Sequence, residues 1–149
     1  MILPQHPFGV SANADTIGLD ELSQRLALAH GWEAKNRLLI QLAKALPEFT
    51  AEYRQDEFRV AGCESQVWLL IQANNGKYDI AADSDSKIIK GLLTLILAAY
   101  HGRSAEEIQQ FDFNAWLNQL GLHRFLSASR GNGLAAIVTK IKQHAISMT

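Results

Sequence analysis

The spacing of apolar positions changes along the chain from a helical period to an extended one and back. Leu19, Leu22 and Leu26 recur at intervals of three and four, which predicts a short amphipathic helix ending at His30-Gly31. Trp32, Leu38, Leu39, Leu42 and Leu46 continue a helical stripe until Pro47 stops it. A glycine between two such stripes predicts a helical hairpin. Residues 1–14 hold Pro4, Pro7 and Gly9 without any period, so they read as an extended arm with Phe8 as its anchor.

Phe58-Arg59-Val60 is a short extended piece, and Val67 to Ala73 is the clearest strand. Asn74-Asn75-Gly76-Lys77 gives the Asn-Gly signal of a tight hairpin, and Tyr78 to Ala82 returns antiparallel. Because Val67-Trp68-Leu69-Leu70-Ile71 does not alternate, both faces of that strand should be covered, which calls for helices against the sheet. Asp83-Ser84-Asp85-Ser86 offers cap oxygens to a helix beginning near Lys87. With Ile88, Ile89, Leu92, Leu93, Leu95, Ile96 and Ala99, that helix is apolar most of the way round and should be central. Ser104-Ala105-Glu106-Glu107 matches a capping box, and Asp112 to Leu120 before Gly121 marks another helix. Ser127 to Gly133 reads as a polar, glycine-bracketed loop before a last helix carrying Leu134, Ile137, Val138 and Ile141. The sum is an α+β fold, a small antiparallel sheet packed against several helices.

Composition narrows the partners. Fourteen basic and fifteen acidic residues leave a formal charge of −1, so the chain has neither the footprint of a nucleic-acid binder nor a polybasic patch for a membrane surface. Small molecules or proteins fit better. The segment from Ile88 to Tyr100, broken by Lys90 and Gly91, falls short of the roughly 18 continuous apolar residues of a membrane span. The Met1-Ile2-Leu3-Pro4 start lacks the basic and apolar regions of a secretory signal. One unpaired cysteine suits a reducing cytosol, so a cytoplasmic protein is expected. At 149 residues without repeats or low-complexity tracts, one domain is expected.

That cysteine, Cys63, lies in Val60-Ala61-Gly62-Cys63-Glu64-Ser65-Gln66-Val67-Trp68. A lone cysteine is most often a small packed hydrophobe. Glycine beside the sulfur instead removes bulk and permits unusual backbone angles, which suits a thiol meant to be approached. The reactive form is the thiolate. Glu64 disfavours a second negative charge, so activation has to come from backbone amides or from a cation such as Arg130 or a histidine. A cysteine hydrolase needs a base, and nothing singles out one of His6, His30, His101, His123 and His144. No two of them stand at the i, i+4 spacing of a helical metal site. Asp83-Ser84-Asp85 resembles the start of a calcium loop, but Ile88 and Thr94 occupy the positions that require glycine and glutamate. Ser127 to Gly133 lacks the lysine and spacing of a nucleotide P-loop, and Arg130 within it either stabilises an anion or caps a neighbouring helix.

With these pieces in order the chain resembles the SufE/CsdE family of sulfur-acceptor proteins over most of its length. The Val60 to Trp68 segment is similar to the family's cysteine motif, and His6-Pro7-Phe8-Gly9 favours the CsdE-type members. Asp83-Ser84-Asp85-Ser86 with Ile88 and Lys90-Gly91-Leu92 follows the family's loop and core helix. Leu120-Gly121-Leu122 and Leu126-Ser127-Ala128-Ser129-Arg130 with Gly133-Leu134 complete the pattern. The resemblance implies a SufE-like sulfur-acceptor domain over residues 1–149, with Cys63 receiving persulfide sulfur from a pyridoxal-phosphate cysteine desulfurase, which the chain stimulates, and passing it toward iron–sulfur cluster assembly. Gly62, Glu64, Ser65 and Arg130 are the candidates for partner binding or thiolate stabilisation. The pyridoxal phosphate belongs to the desulfurase, so no cofactor and no metal are expected on this chain, and no independent turnover.

Two readings compete with it. An iron–sulfur scaffold would need three or four thiolates per cluster, where this chain offers one. A non-covalent regulatory module would stimulate its partner with Cys63 incidental.

Overall fold

The Asn-Gly hairpin stands at the centre of the fold. In the computed structural model, which describes residues 3–10, 16–62 and 65–147, β1 (Val67–Asn74) and β2 (Lys77–Ser84) pair antiparallel with Ile71 opposite Ile80. Asn75 turns with φ +53°, the conformation that a two-residue hairpin of this hand requires. A third strand, β3 (Arg103–Ser104), adds two residues to the free edge of β2, giving the order β1-β2-β3. Sequence pattern misses it because it is so short. It forms where Gly102 N–H donates to the Tyr78 carbonyl at 2.7 Å.

Helix α3 (Lys87–Tyr100) follows directly and is buried almost throughout, with Leu92, Leu93, Leu95, Ile96 and Leu97 fully shielded. Each such side chain contributes about 1.5–3 kcal/mol when removed from water. Its entry is capped by Ser86, whose hydroxyl accepts the Ile89 N–H. Around it lie α1 (Leu19–Leu28), α2 (Gly31–Ala43), α4 (Ala105–Gln110), α5 (Phe113–Gln119) and α6 (Ala128–Ser147). The expected hairpin of α1 and α2 is modified: both pack chiefly on α3, since the α1 stripe of Leu22 and Leu26 finds its apolar surface there. Helix α2 crosses closest at Gly91, where a β-carbon would sit 2.7 Å from the Leu39 carbonyl oxygen. A side chain at that crossing would force the helices apart. The capping box at Ser104 and Glu107 is present as expected and starts α4.

The two faces of β1 are covered differently. Val67 and Leu69 join the main core under the helices. Trp68 and Leu70 face a second cluster made by Leu3, Phe49 and Ala81, with Tyr53 and Phe58 packed at its rim. An extended arm and a loop cover this outer face, where helices were expected. The reason is polar as well as apolar: Asp83, fully buried, takes the Phe49 N–H at 2.8 Å and the Arg54 guanidinium at 3.1 Å, fastening the loop over the sheet. Among the described residues no helix is long and apolar enough to cross a membrane.

Candidate functional site

Cys63 and Glu64 lie outside the described residues, and the site is built from what surrounds them. A 3-10 turn at Asp56–Phe58 leads into Arg59, which bridges antiparallel to Trp68. The next residue closes the loop: Val60 N–H donates to the Val67 carbonyl at 2.9 Å, with both side chains buried. On the far side, Gln66 N–H donates to Asp85 Oδ1 at 3.1 Å and Asp85 N–H returns to the Gln66 carbonyl at 3.3 Å. Six residues, 61 to 66, are thereby tied down at both ends.

Gly62 is exposed and adopts φ +92°, a backbone conformation that side chains resist. Space is not the constraint, because a β-carbon there would meet only the Ala136 methyl at 3.6 Å. The loop therefore rests on α6. Lys140 Nζ, from the same helix, reaches the Arg59 carbonyl at 3.5 Å.

Beside the loop is a pocket of about 90 Å³ lined by Ser65, Ser86, Ile89, Ser129, Arg130 and Leu134, with Gly133 and Ile137 behind. Two of the sequence-derived candidates, Ser65 and Arg130, meet here from positions far apart in the chain. Helix α6 begins at Ala128, so the stretch expected as a loop to Gly133 is already helical. Ser127 caps it, its hydroxyl accepting the Arg130 N–H at 3.3 Å and its carbonyl the Gly131 N–H at 3.0 Å. The weak helix formers Gly131, Asn132 and Gly133 are overridden by burial of Leu134, Ile137 and Ile141. The Arg130 guanidinium makes no hydrogen bond or ion pair among the described residues, which replaces the reading of it as a cap on a neighbouring helix.

Val60, Val67 and Trp68, the apolar neighbours of Cys63 in the sequence, do not line this pocket. Val60 and Val67 are buried in the main core, and Trp68 points to the outer face, where the Arg54 guanidinium sits 4.7 Å over its ring. Ile89, Leu134 and Ile137, contributed by α3 and α6, form the apolar wall of the pocket. Sequence pattern places these three only as core stripes and Ser86 only as a cap. The pocket thus combines three hydroxyls, one uncommitted cation and an apolar wall, beside the first turns of two helices whose amide ends favour negative charge. That combination suits a small anionic, polarisable group.

No histidine is among the residues that line this pocket, and His6 and His101 serve structure. His6 donates from Nε2 to the Ile80 carbonyl at 2.7 Å and accepts the Phe8 N–H on Nδ1 at 3.2 Å. His101 Nδ1 accepts the Ile80 N–H at 2.9 Å. Burial pushes His6 down to about 4 and lowers His101 as well. Among the described residues no three His, Asp or Glu side chains converge as a metal site would require.

A family model described as SufE, an Fe-S metabolism associated domain, matches residues 20–145. The sulfur acceptor protein CsdE of Escherichia coli is 41% identical over 133 residues, covering 89% of this chain and 87% of that protein. An uncharacterized SufE-like protein of Rhizobium etli is 37% identical over 131 residues, covering 85% of this chain and 88% of that one. In the solution structure of a hypothetical protein from Thermus thermophilus the same fold recurs at a TM-score of 0.67 and 19% identity, covering 88% of this chain and 99% of that one.

Proposed function

The chain belongs to the SufE family of Fe-S metabolism associated domains, and from that premise we propose that it is a sulfur acceptor which takes persulfide sulfur onto Cys63 from a pyridoxal-phosphate cysteine desulfurase. In the step proposed, the Cys63 thiolate attacks the outer sulfur of the desulfurase's cysteine persulfide. A new sulfur–sulfur bond forms at Cys63, the donor's sulfur–sulfur bond breaks, and the donor cysteine leaves as its thiolate. One bond replaces another of the same kind, so the exchange needs no outside oxidant or reductant. It also needs no hydrolytic base, in keeping with a pocket lined by no histidine. The loaded chain then gives the sulfur to a recipient in iron–sulfur cluster assembly, in the cytoplasm and without turnover of its own.

The observation that carries this reading is the meeting of Ser65 and Arg130, whose guanidinium has no partner among the described residues, in one pocket beside a loop tied at Val60 and Gln66. A tied loop with an exposed Gly62 at its bend can offer a thiol without unfolding its neighbours. Arg130 then stabilises negative sulfur, and Ile89, Leu134 and Ile137 keep stray thiols from the product. Glu64, which follows the sulfur directly, would oppose a second negative charge and so gives the cation something to offset.

Intact mass spectrometry after incubation with a cysteine desulfurase and free cysteine is the test. One added sulfur mass on the Cys63 peptide, absent in Cys63→Ser, is the expected result. A Cys63→Ser chain that still raises desulfurase turnover as well as the parent would overturn it in favour of a regulatory module.

A further inference from the structure

A second depression lies on the other side of the first turn of α3. It is a shallow groove of about 210 Å³ with Ile40 and Ala43 of α2 as its floor and Lys44, Lys87 and Lys90 at its rim. No carboxylate lines it. Lys90 is engaged with the buried Asp83 at 3.3 Å, but Lys44 and Lys87 are exposed and have no ion-pair partner among the described residues. In a chain whose charges nearly balance, this is a local excess of positive charge. Lys87 also stands at the first position of α3, where the amide end of the helix favours an acid, and the first turn contains none. Lys87 thus stands against the local rule for helix stability, which adds to the positive charge at this rim.

We infer that this groove is a docking site for an acidic segment of the sulfur donor, one that sets an aliphatic side chain on Ile40 and Ala43 and carboxylates between Lys44 and Lys87. The inference rests on the sulfur-acceptor reading for the identity of the partner. Continuity supports it: Ser86 and Ile89 line the Arg130 pocket while Lys87 and Lys90, interleaved with them on the same turn, line the groove. A body seated over the cysteine loop reaches the groove by crossing Ser86. The apolar floor distinguishes the site from a phosphate cradle, which is built from backbone amides and forked arginines. A carboxylate-bearing side chain next to an aliphatic one satisfies both the rim and the floor.

The test uses a purified pyridoxal-phosphate cysteine desulfurase as the probe and the double variant Lys44→Glu/Lys87→Glu, leaving Lys90 intact because Asp83 depends on it. Binding is expected to weaken by about tenfold or more at low salt and to lose most of its salt dependence, while Lys44→Arg/Lys87→Arg stays near the parent. Loading of Cys63 at saturating desulfurase should be retained, since the groove docks and takes no part in the exchange. If the charge-reversed chain binds within about twofold of the parent with the same salt slope, the groove assignment falls, and the acceptor reading stands as long as Cys63 is loaded. If binding depends on the groove and yet Cys63 gains no sulfur, the docking surface stands and the acceptor reading falls. Inorganic phosphate that displaces the desulfurase from the parent chain at concentrations where chloride does not would also overturn the assignment to an acidic segment.

Discussion

Arg54 and Asp83 form an ion pair at 3.1 Å with the carboxylate fully buried, and the same guanidinium covers the Trp68 ring at 4.7 Å. Asp83 uses both oxygens, taking Phe49 N–H and Arg54 on one, and Ser84 N–H and Lys90 on the other. One carboxylate thus joins the loop from Phe49 to Arg54, the end of β2 and the start of α3. This loop continues into Arg59 and Val60, so the anchor lies upstream of the cysteine segment.

Replacing Asp83 with alanine leaves two cations and two amides without their acceptor. Removing one partner of a buried ion pair costs about 3–5 kcal/mol, and the low end applies because Arg54 and Lys90 both reach solvent. Urea unfolding should show a lowered midpoint at nearly the same slope. A variant as stable as the parent would mean that the network is not what fastens the loop.

His6 uses both ring nitrogens, one as donor and one as acceptor, only in its neutral form. Its Nε2 donates to the Ile80 carbonyl and its Nδ1 accepts the Phe8 N–H, while His101 Nδ1 accepts the Ile80 N–H. The two imidazoles complete the edge of β2 beyond the last β3 pair, at Tyr78. Burial lowers His6 from 6.5 to about 4, with His101 lowering it further and the Ile80 carbonyl and Asp79 opposing. In the unfolded chain His6 binds its proton near 6.5, so between about 6.5 and 4 the unfolded state holds more protons than the folded one. Stability is therefore expected to fall as pH falls through this window, by on the order of 3 kcal/mol for His6. His101 adds in the same direction. The check is urea unfolding from pH 7.5 to pH 4, in which a His6→Asn chain should lose close to one proton's worth of slope. An unchanged slope would remove His6 from the account.

Gly62→Ala tests the bend beside the sulfur. A left-handed backbone costs a non-glycine residue about 1–2 kcal/mol, and Ala136 at 3.6 Å offers no clash to confuse the result. With Val60 and Gln66 holding the ends, the strain has to be taken up between them. Global stability should fall by no more than this cost of about 1–2 kcal/mol, whereas the rate at which Cys63 is alkylated or loaded should change several-fold. Unchanged rates would show that the bend does not set the presentation of the thiol.

Much of this arrangement is legible in the sequence where the signal is local. Asn75-Gly76 between apolar runs marks the hairpin, and Ser104 with Glu107 marks the start of α4. What escapes is held by distant partners. Leu3 and Phe49 cover Trp68 across long stretches of chain, and no period in either segment announces it. The start of α6 is masked by Gly131 and Gly133, whose poor propensity is overcome only by packing seen in three dimensions. Asp83 reads as a turn residue until the cations that surround it are located. Lys44 and Lys87 are likewise ordinary surface lysines until α2 and α3 bring them to one groove.

Arg130 is the residue whose role is most open to measurement, because its guanidinium has no structural partner among the described residues to lose. Substituting it should leave stability within about 0.5 kcal/mol, as for surface positions without such a role. Stabilising negative sulfur makes a demand that docking alone does not: removing the cation shifts the rate-versus-pH profile of Cys63 loading to higher pH, because the thiolate becomes harder to form. Arg130→Ala should therefore load more slowly at neutral pH and recover part of the deficit as pH rises. Arg130→Lys keeps the charge and should keep the profile, while losing the flat fork that matches a carboxylate on a partner. If both variants weaken desulfurase binding and neither moves the profile, Arg130 acts through docking and the stabilisation of sulfur is wrong.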